Sequence, residues 1–264
     1  MSKNTIRVAL LLDCESIQEW HRIALHEMVK QTPATIDLLI INDGSDNKEA
    51  RNARSNVTPW QVYNAFRSKI ESDRNLRFYR QRHHISNADM LSNVERRHCK
   101  AVTTDGLGNE LPADVVEELS SCDIAVRFGF GILVGDALSA PKFGVLSFHH
   151  GNLKKYRGRP AGFWEFVEGS PTAGITLQRL SETLDGGGIV LSKSIDISSA
   201  PSWPTVMAKL LSESKPMLAE GVEILTDPDR ELENPNELGE LYFEPEWRDL
   251  GRYVLRRFQR ALSS

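Results

Sequence analysis

The sequence predicts an α/β fold, a Rossmann-like and mostly parallel sheet with flanking helices, followed by a short helical C-terminal extension. Three observations carry this expectation. Ile6 to Leu12 and Ile36 to Ile41 are apolar runs of strand length, each interrupted once, by Arg7 and by Asp37, the pattern of strands covered on both faces. Between them, Ile17, Trp20, Ile23, Ala24 and Met28 recur at helical spacing within Ile17 to Lys30. A strand, helix, strand order makes the two strands parallel, joined by a right-handed crossover.

The elements continue in the same alternation. Asn42-Asp43-Gly44-Ser45 closes the second strand as a turn. A helix is expected around Trp60 to Ile70 and a short strand at Leu76 to Tyr79. Residues 80 to 110, polar and rich in Arg and His, give no periodic signal beyond a turn at Asp105 to Asn109. Pro112 suits the first turn of a helix through Leu119, and Ile124 to Phe128 is another buried strand. Val145 to Phe148 is the next, which puts His149 at a carboxyl strand end, where such sheets hold ligands. Phe163, Trp164, Phe166 and Val167 read as a helix packed on the core. Thr205 to Leu225 has helical spacing interrupted by Pro216. Asp227 to Gly239 is an acidic loop, and from Pro245 the chain becomes a basic amphipathic helix. The expected division is a catalytic domain over 1–200 and the helical extension over 201–264.

Composition narrows the function classes. With 264 residues, 40% hydrophobic and 26% charged, the chain can bury an enzyme-sized core. A net charge of −4 gives no general grip on nucleic acid. No apolar run reaches the length of a membrane span, and no signal-peptide core follows Met1, so a cytoplasmic location is expected. Cys14, Cys99 and Cys122 are widely spaced and odd in number, which fits reduced packing residues. The chain is compatible with a homodimer, and residues 246–262 with contact to a membrane surface.

Glycine-loop nucleotide motifs and the Gly-x-Ser-x-Gly elbow are absent. The histidine pairs His83-His84 and His149-His150 are adjacent residues that project to opposite sides of a strand, so no metal site is expected from them. Arg127 lies inside an apolar strand, and burying it demands either an acid or a place facing a ligand cleft.

The segment Ser147-Phe148-His149-His150-Gly151-Asn152-Leu153, followed by Tyr156-Arg157-Gly158, Pro160, Trp164, Gly169, Thr172, Gly174-Ile175-Thr176 and Asp185-x-Gly187-x-Ile189, resembles the folate-dependent formyltransferase family. That family includes methionyl-tRNA, glycinamide-ribonucleotide and sugar-nucleotide N-formyltransferases. The likeness extends upstream through Asp123 to Val126, Gly129-Phe130 and Ile132-Leu133 to Ala140 to Gly144, covering residues 120 to 197. Residues 1 to 119 share only the alternation.

The resemblance implies the formyltransferase fold and transfer of a formyl group from 10-formyltetrahydrofolate to an amine. It assigns proton removal to His149 and Asp185, and puts Ser147 where the family has an Asn that stabilises the oxyanion. Asn152 or His150 is expected to substitute as donor. The folate pocket is expected at Gly129, Phe130, Ile132, Leu133, Leu180 and Leu184, and substrate contacts at Tyr156, Arg157 and His150. The amine is expected on a small molecule, an amino sugar or nucleotide-linked amino sugar. The absence of an evident tRNA-binding barrel and the short C-terminal part disfavour methionyl-tRNA. The alternatives are a formyltetrahydrofolate hydrolase and a catalytically weak binding or regulatory homologue.

Overall fold

A computed structural model describes residues 5–44, 57–70, 73–104, 108–184, 186–234 and 237–263. Seven strands form the central sheet: β1 (Ile6–Leu12), β2 (Ala34–Asn42), β3 (Glu95–Cys99), β4 (Ile124–Arg127), β5 (Val145–His149), β6 (Thr172–Arg179) and β7 (Gly188–Asp196). Their spatial order is β3-β2-β1-β4-β5-β6-β7. The first five run parallel, and β6 and β7 add antiparallel at the end. The order reverses direction beside β1, at the β1–β4 junction, where the strand ends open a crevice.

The helices are α1 (Glu19–Gln31), α2 (Pro59–Ile70), α3 (Arg74–Arg80), α4 (Asp89–Ser92), α5 (Ala113–Ser120), α6 (Phe163–Glu168), α7 (Trp203–Ser214), α8 (Met217–Thr226) and α9 (Trp247–Ser263). Alternation along the strands divides the core in two. Val8, Leu10, Leu12, Val126 and Leu146 face α1, α7 and α8 in the larger cluster. Ala9, Leu11, Ala125 and Val145 face α5 through Val115 and Leu119 in the smaller. Each such fully buried Leu or Val contributes about 1.5–3 kcal/mol, which is why these runs could be read as strands from composition alone.

One expectation is corrected, and two open points are resolved. Leu76 to Tyr79 is not a strand but part of α3, because the Asp73 side chain accepts from the Leu76 N–H (2.9 Å) and caps a helix. The unreadable stretch contains β3, whose sequence Glu-Arg-Arg-His-Cys lacks an apolar pattern because it is an edge strand, paired with β2 alone. Pro216 breaks the expected helical run into two helices, α7 and α8. The core runs on past residue 200: Val206, Leu210, Leu211, Met217, Leu218 and Val222 belong to the same cluster as the sheet.

No helix among the described residues is long and apolar enough to cross a membrane.

Candidate active site

The carboxyl ends of β4 and β5, with the antiparallel β6 beside them, carry a row of polar side chains in register. Arg127 pairs with Ser147, Ser147 with Gln178, and His149 with Thr176. Register partners project from the same face, so Arg127, Ser147 and Gln178 form one line with His149 and Thr176 just beyond. Ser147, Gln178 and Thr176 are each buried to within 2% of full cover. Burying so many polar groups is tolerated only with hydrogen bonds. Arg127 supplies them to Ser147, donating from Nε (3.3 Å) and Nη2 (2.9 Å) to its Oγ, while Nη1 donates to the Gly131 carbonyl. Arg127 lines a cavity of about 270 Å³ together with Asp13, Gly129, Gly131 and Ser147 and with the aromatic rings of Trp20, His21, Phe128, Phe148 and His150.

The loop leaving β5 is fixed from both sides. Thr176 Oγ1 donates to the Gly151 carbonyl (3.1 Å), and His149 Nε2 lies 3.1 Å from the Tyr156 carbonyl. A carbonyl only accepts, so Nε2 carries the hydrogen and the ring's basic position is Nδ1.

The opposite face at the same strand ends is aromatic. His21 stacks on Phe128 (centroids 4.0 Å apart), and His150 stacks on Phe148 (6.0 Å) and meets the Trp20 edge (5.3 Å). Burial among these rings, reinforced by neighbouring cationic groups, pushes both imidazoles down to about 3. His150 Nε2 is 2.9 Å from Ser214 Oγ, whose own hydrogen goes to the Leu210 carbonyl, so the imidazole donates.

His150 is thus bonded to Ser214 among the aromatic rings, while lining the same cavity as Ser147. The Asn152 Oδ1 accepts from the Lys154 N–H (2.9 Å) and closes its own loop. The donor bonded to Ser147 is Arg127, which sequence reasoning placed at a cleft without assigning it to this partner. Gln178 was also missed, although Gly174, Thr176 and Gln178 alternate with the apolar Ile175 and Leu177 and so signal a shared face.

The expected folate-binding segment has an unusual backbone. Phe130 holds φ = +67°, a left-handed conformation that costs a non-glycine residue about 1–3 kcal/mol. Its N–H donates to Asp13 Oδ1 (2.5 Å), and a β-carbon at Gly129 would collide with the Asp13 backbone. The Phe130 and Leu133 side chains are buried in the smaller core cluster, with Leu180 packed beside them; Ile132 is half-buried and Leu184 exposed. Beside this segment, a second cavity of about 390 Å³ is lined by Asp13, Asn42, Lys100, Thr103, Asn109 and Gly131 among others. The two cavities share Asp13 and Gly131.

Tyr156 and Arg157 hold the fold together. The Tyr156 hydroxyl donates to Glu168 (2.8 Å), which also accepts from Tyr242 (3.2 Å), and Tyr156–Gly158 pairs with Glu240–Tyr242. Arg157 donates to the carbonyls of Gly239 (2.7 Å) and Leu184 (3.4 Å). Asp185 lies outside the described residues. Among the described residues, no three metal-ligating side chains converge.

The formyl transferase family model matches residues 39–222. The chain is 30% identical over 135 residues to the methionyl-tRNA formyltransferase of Prochlorococcus marinus (strain MIT 9215), a match covering 50% of this chain and 40% of that protein. In fold it is similar to glycinamide ribonucleotide transformylase 1 from Symbiobacterium toebii, with TM-score 0.54 and 15% identity over 90% of this chain and 95% of that one. It is also similar to the N-formyltransferase from Helicobacter canadensis in complex with folinic acid and dTDP-3-aminofucose, with TM-score 0.56 and 12% identity over 93% and 72%. With the family model matched over more than half its length, from β2 through α8, this chain belongs to the formyl transferase family.

Proposed function

We propose that the chain moves a formyl group from 10-formyltetrahydrofolate to the amine of a small substrate, an amino sugar or nucleotide-linked amino sugar. The observation that carries this is the row Arg127, Ser147, Gln178 with His149 at its end, beside a cleft at the strand ends. His149 takes the proton from the attacking amine, with Asp185 as its partner. The amine nitrogen bonds to the formyl carbon, the carbonyl π electrons move to oxygen, and the oxyanion is met by Arg127. Collapse breaks the bond from the formyl carbon to N10, and the proton passes to N10. Formylated amine and tetrahydrofolate are the products.

Arg127 here does the work of the family's Asn. A guanidinium is a stronger donor than an amide towards developing negative charge, and the Ser147 hydroxyl fixes its position. Two adjoining cavities fit a reaction of two ligands. Folate is assigned to the side bounded by Gly129, Phe130, Ile132, Leu133, Leu180 and Leu184. The cavity with Asn42, Lys100, Thr103 and Asn109 offers the donors and the cation that a hydroxylated or phosphorylated molecule needs.

Calorimetric titration with 5-formyltetrahydrofolate, followed by a panel of amino sugars and their nucleotide conjugates assayed with 10-formyltetrahydrofolate, tests the proposal. Saturable folate binding weakened by Asp185→Ala, with transfer to at least one amine, is expected. No folate binding at millimolar ligand would overturn it.

A further inference from the structure

Helix α9 presents its apolar side to solvent. Leu250 and Tyr253 anchor it, Tyr253 stacking on Phe163 (5.5 Å) and accepting from the Trp203 N–H (3.4 Å). On the same side Arg256 and Arg260 are half-buried, whereas Trp247, Leu255, Phe258 and Leu262 are 60–89% exposed and Val254 49%. With 3.6 residues per turn, these five and Gly251 fall on one stripe. Single exposed apolar residues are ordinary, but a continuous stripe of this kind marks an interaction surface.

We propose that the stripe is covered by a second copy of this chain, with the two α9 helices packed antiparallel about a two-fold axis. The stripe is its own mirror in spacing. From Trp247 through Gly251, Val254, Leu255 and Phe258 to Leu262 the steps are four, three, one, three and four, the same from either end. A two-fold axis between Val254 and Leu255 therefore sets each residue against its counterpart, Trp247 against Leu262 and Gly251 against Phe258. Such self-complementarity is what an isologous interface requires.

The sizes match as well as the spacing. A β-carbon built at Gly251 meets nothing within 4 Å, so the helix has an open notch there, opposite the largest side chain of the central stripe in the partner copy. Charge agrees. Glu244, Glu246 and Asp249 outnumber Arg248 and Arg252 at the start of the helix, whereas Arg256, Arg257 and Arg260 are the only charges beyond. Antiparallel pairing brings the acidic end of one copy to the basic end of the other and opposes the helix dipoles.

Sedimentation velocity across a range of concentrations, with four forms of the chain, tests this. The wild type is expected as a reversible dimer, and Phe258→Asp as a monomer. Gly251→Leu fills the notch from a β-carbon that meets nothing within 4 Å and replaces a poor helix former, so the monomer folds, as circular dichroism will confirm. In the dimer it meets the partner's Phe258 and weakens association about tenfold or more, the effect of roughly 1.4 kcal/mol of overpacking. Combining Gly251→Leu with Phe258→Ala exchanges knob and notch and restores the dimer. A monomeric wild type at all concentrations, or a dimer that Gly251→Leu leaves unchanged, overturns the proposal. So does co-sedimentation of monomeric wild type with phosphatidylglycerol vesicles that Gly251→Leu strengthens, the outcome expected of a basic membrane-surface helix.

Discussion

His149 and His150 are neighbours in the chain and occupy different chemical worlds. His149 stands on the polar face with Ser147, Thr176, Gln178 and Arg127. His150 is turned to the aromatic face among Trp20 and Phe148, held to Ser214 and pushed down to about 3. The strand's two-residue period turns one imidazole to the polar face and the other to the aromatic rings, where it lines the cavity shared with Arg127 and Ser147. Residue type is a poor guide to role here; the face is a good one.

Substitutions on the two faces should separate activity from stability. The largest expected effect is His149→Ala, which lowers formyl transfer about 100- to 10,000-fold, the usual worth of a general base, while the melting temperature changes little. Steady-state assays beside thermal unfolding check both arms, and a large fall in stability with normal specific activity would erase the contrast.

Arg127→Met should follow, with transfer falling about 100- to 1000-fold, as for loss of one oxyanion donor. The effect belongs in kcat, since the donor acts on charge that develops in the transition state. Adding Ser147→Asn to Arg127→Met should recover part of the rate by restoring the family's amide. If the double variant is no better than the single one, Arg127 is a structural arginine.

On the aromatic face, His150→Ala should cost about 1–3 kcal/mol of stability through a lost hydrogen bond and a small void, read by chemical denaturation, with kcat nearly unchanged. Acid unfolding gives the smallest and most specific signal. An imidazole held near 3 in the fold and about 6.5 when unfolded takes up its proton more readily in the unfolded chain between those values. Stability is therefore fully present above about pH 6.5 and lost as pH falls towards 3. His21→Phe keeps the stack on Phe128 and should flatten that limb of the stability curve, which urea titrations at several pH values would reveal.

Strands β1, β2, β4 and β5 were legible because they are buried on both faces over most of their length and so are mostly apolar. Strand β3 was not, because its edge position frees it to carry Glu95, Arg96, Arg97 and His98. Leu76 to Tyr79 shows the converse, a run of strand-like residues overruled by the Asp73 cap. In the site, Ser147 and His149 were found from their motif. Their partners could not be, since Arg127 and Gln178 reach Ser147 from twenty residues upstream and thirty-one downstream through strand register, which only pairing reveals. Tyr156 and Arg157, expected to meet substrate, also bond Glu168 and the carbonyls of Gly239 and Leu184, partners that only the fold brings near.

The ribbon joining Tyr156–Gly158 to Glu240–Tyr242 has a consequence for how the enzyme is made. Arg157 is tied to Gly239, 82 residues later, so on a translating ribosome the loop after His149 emerges long before the segment that fastens it. Until that segment arrives, the nascent sheet can form while the loop beside it stays unfastened, so the loop is completed well after its own residues are made.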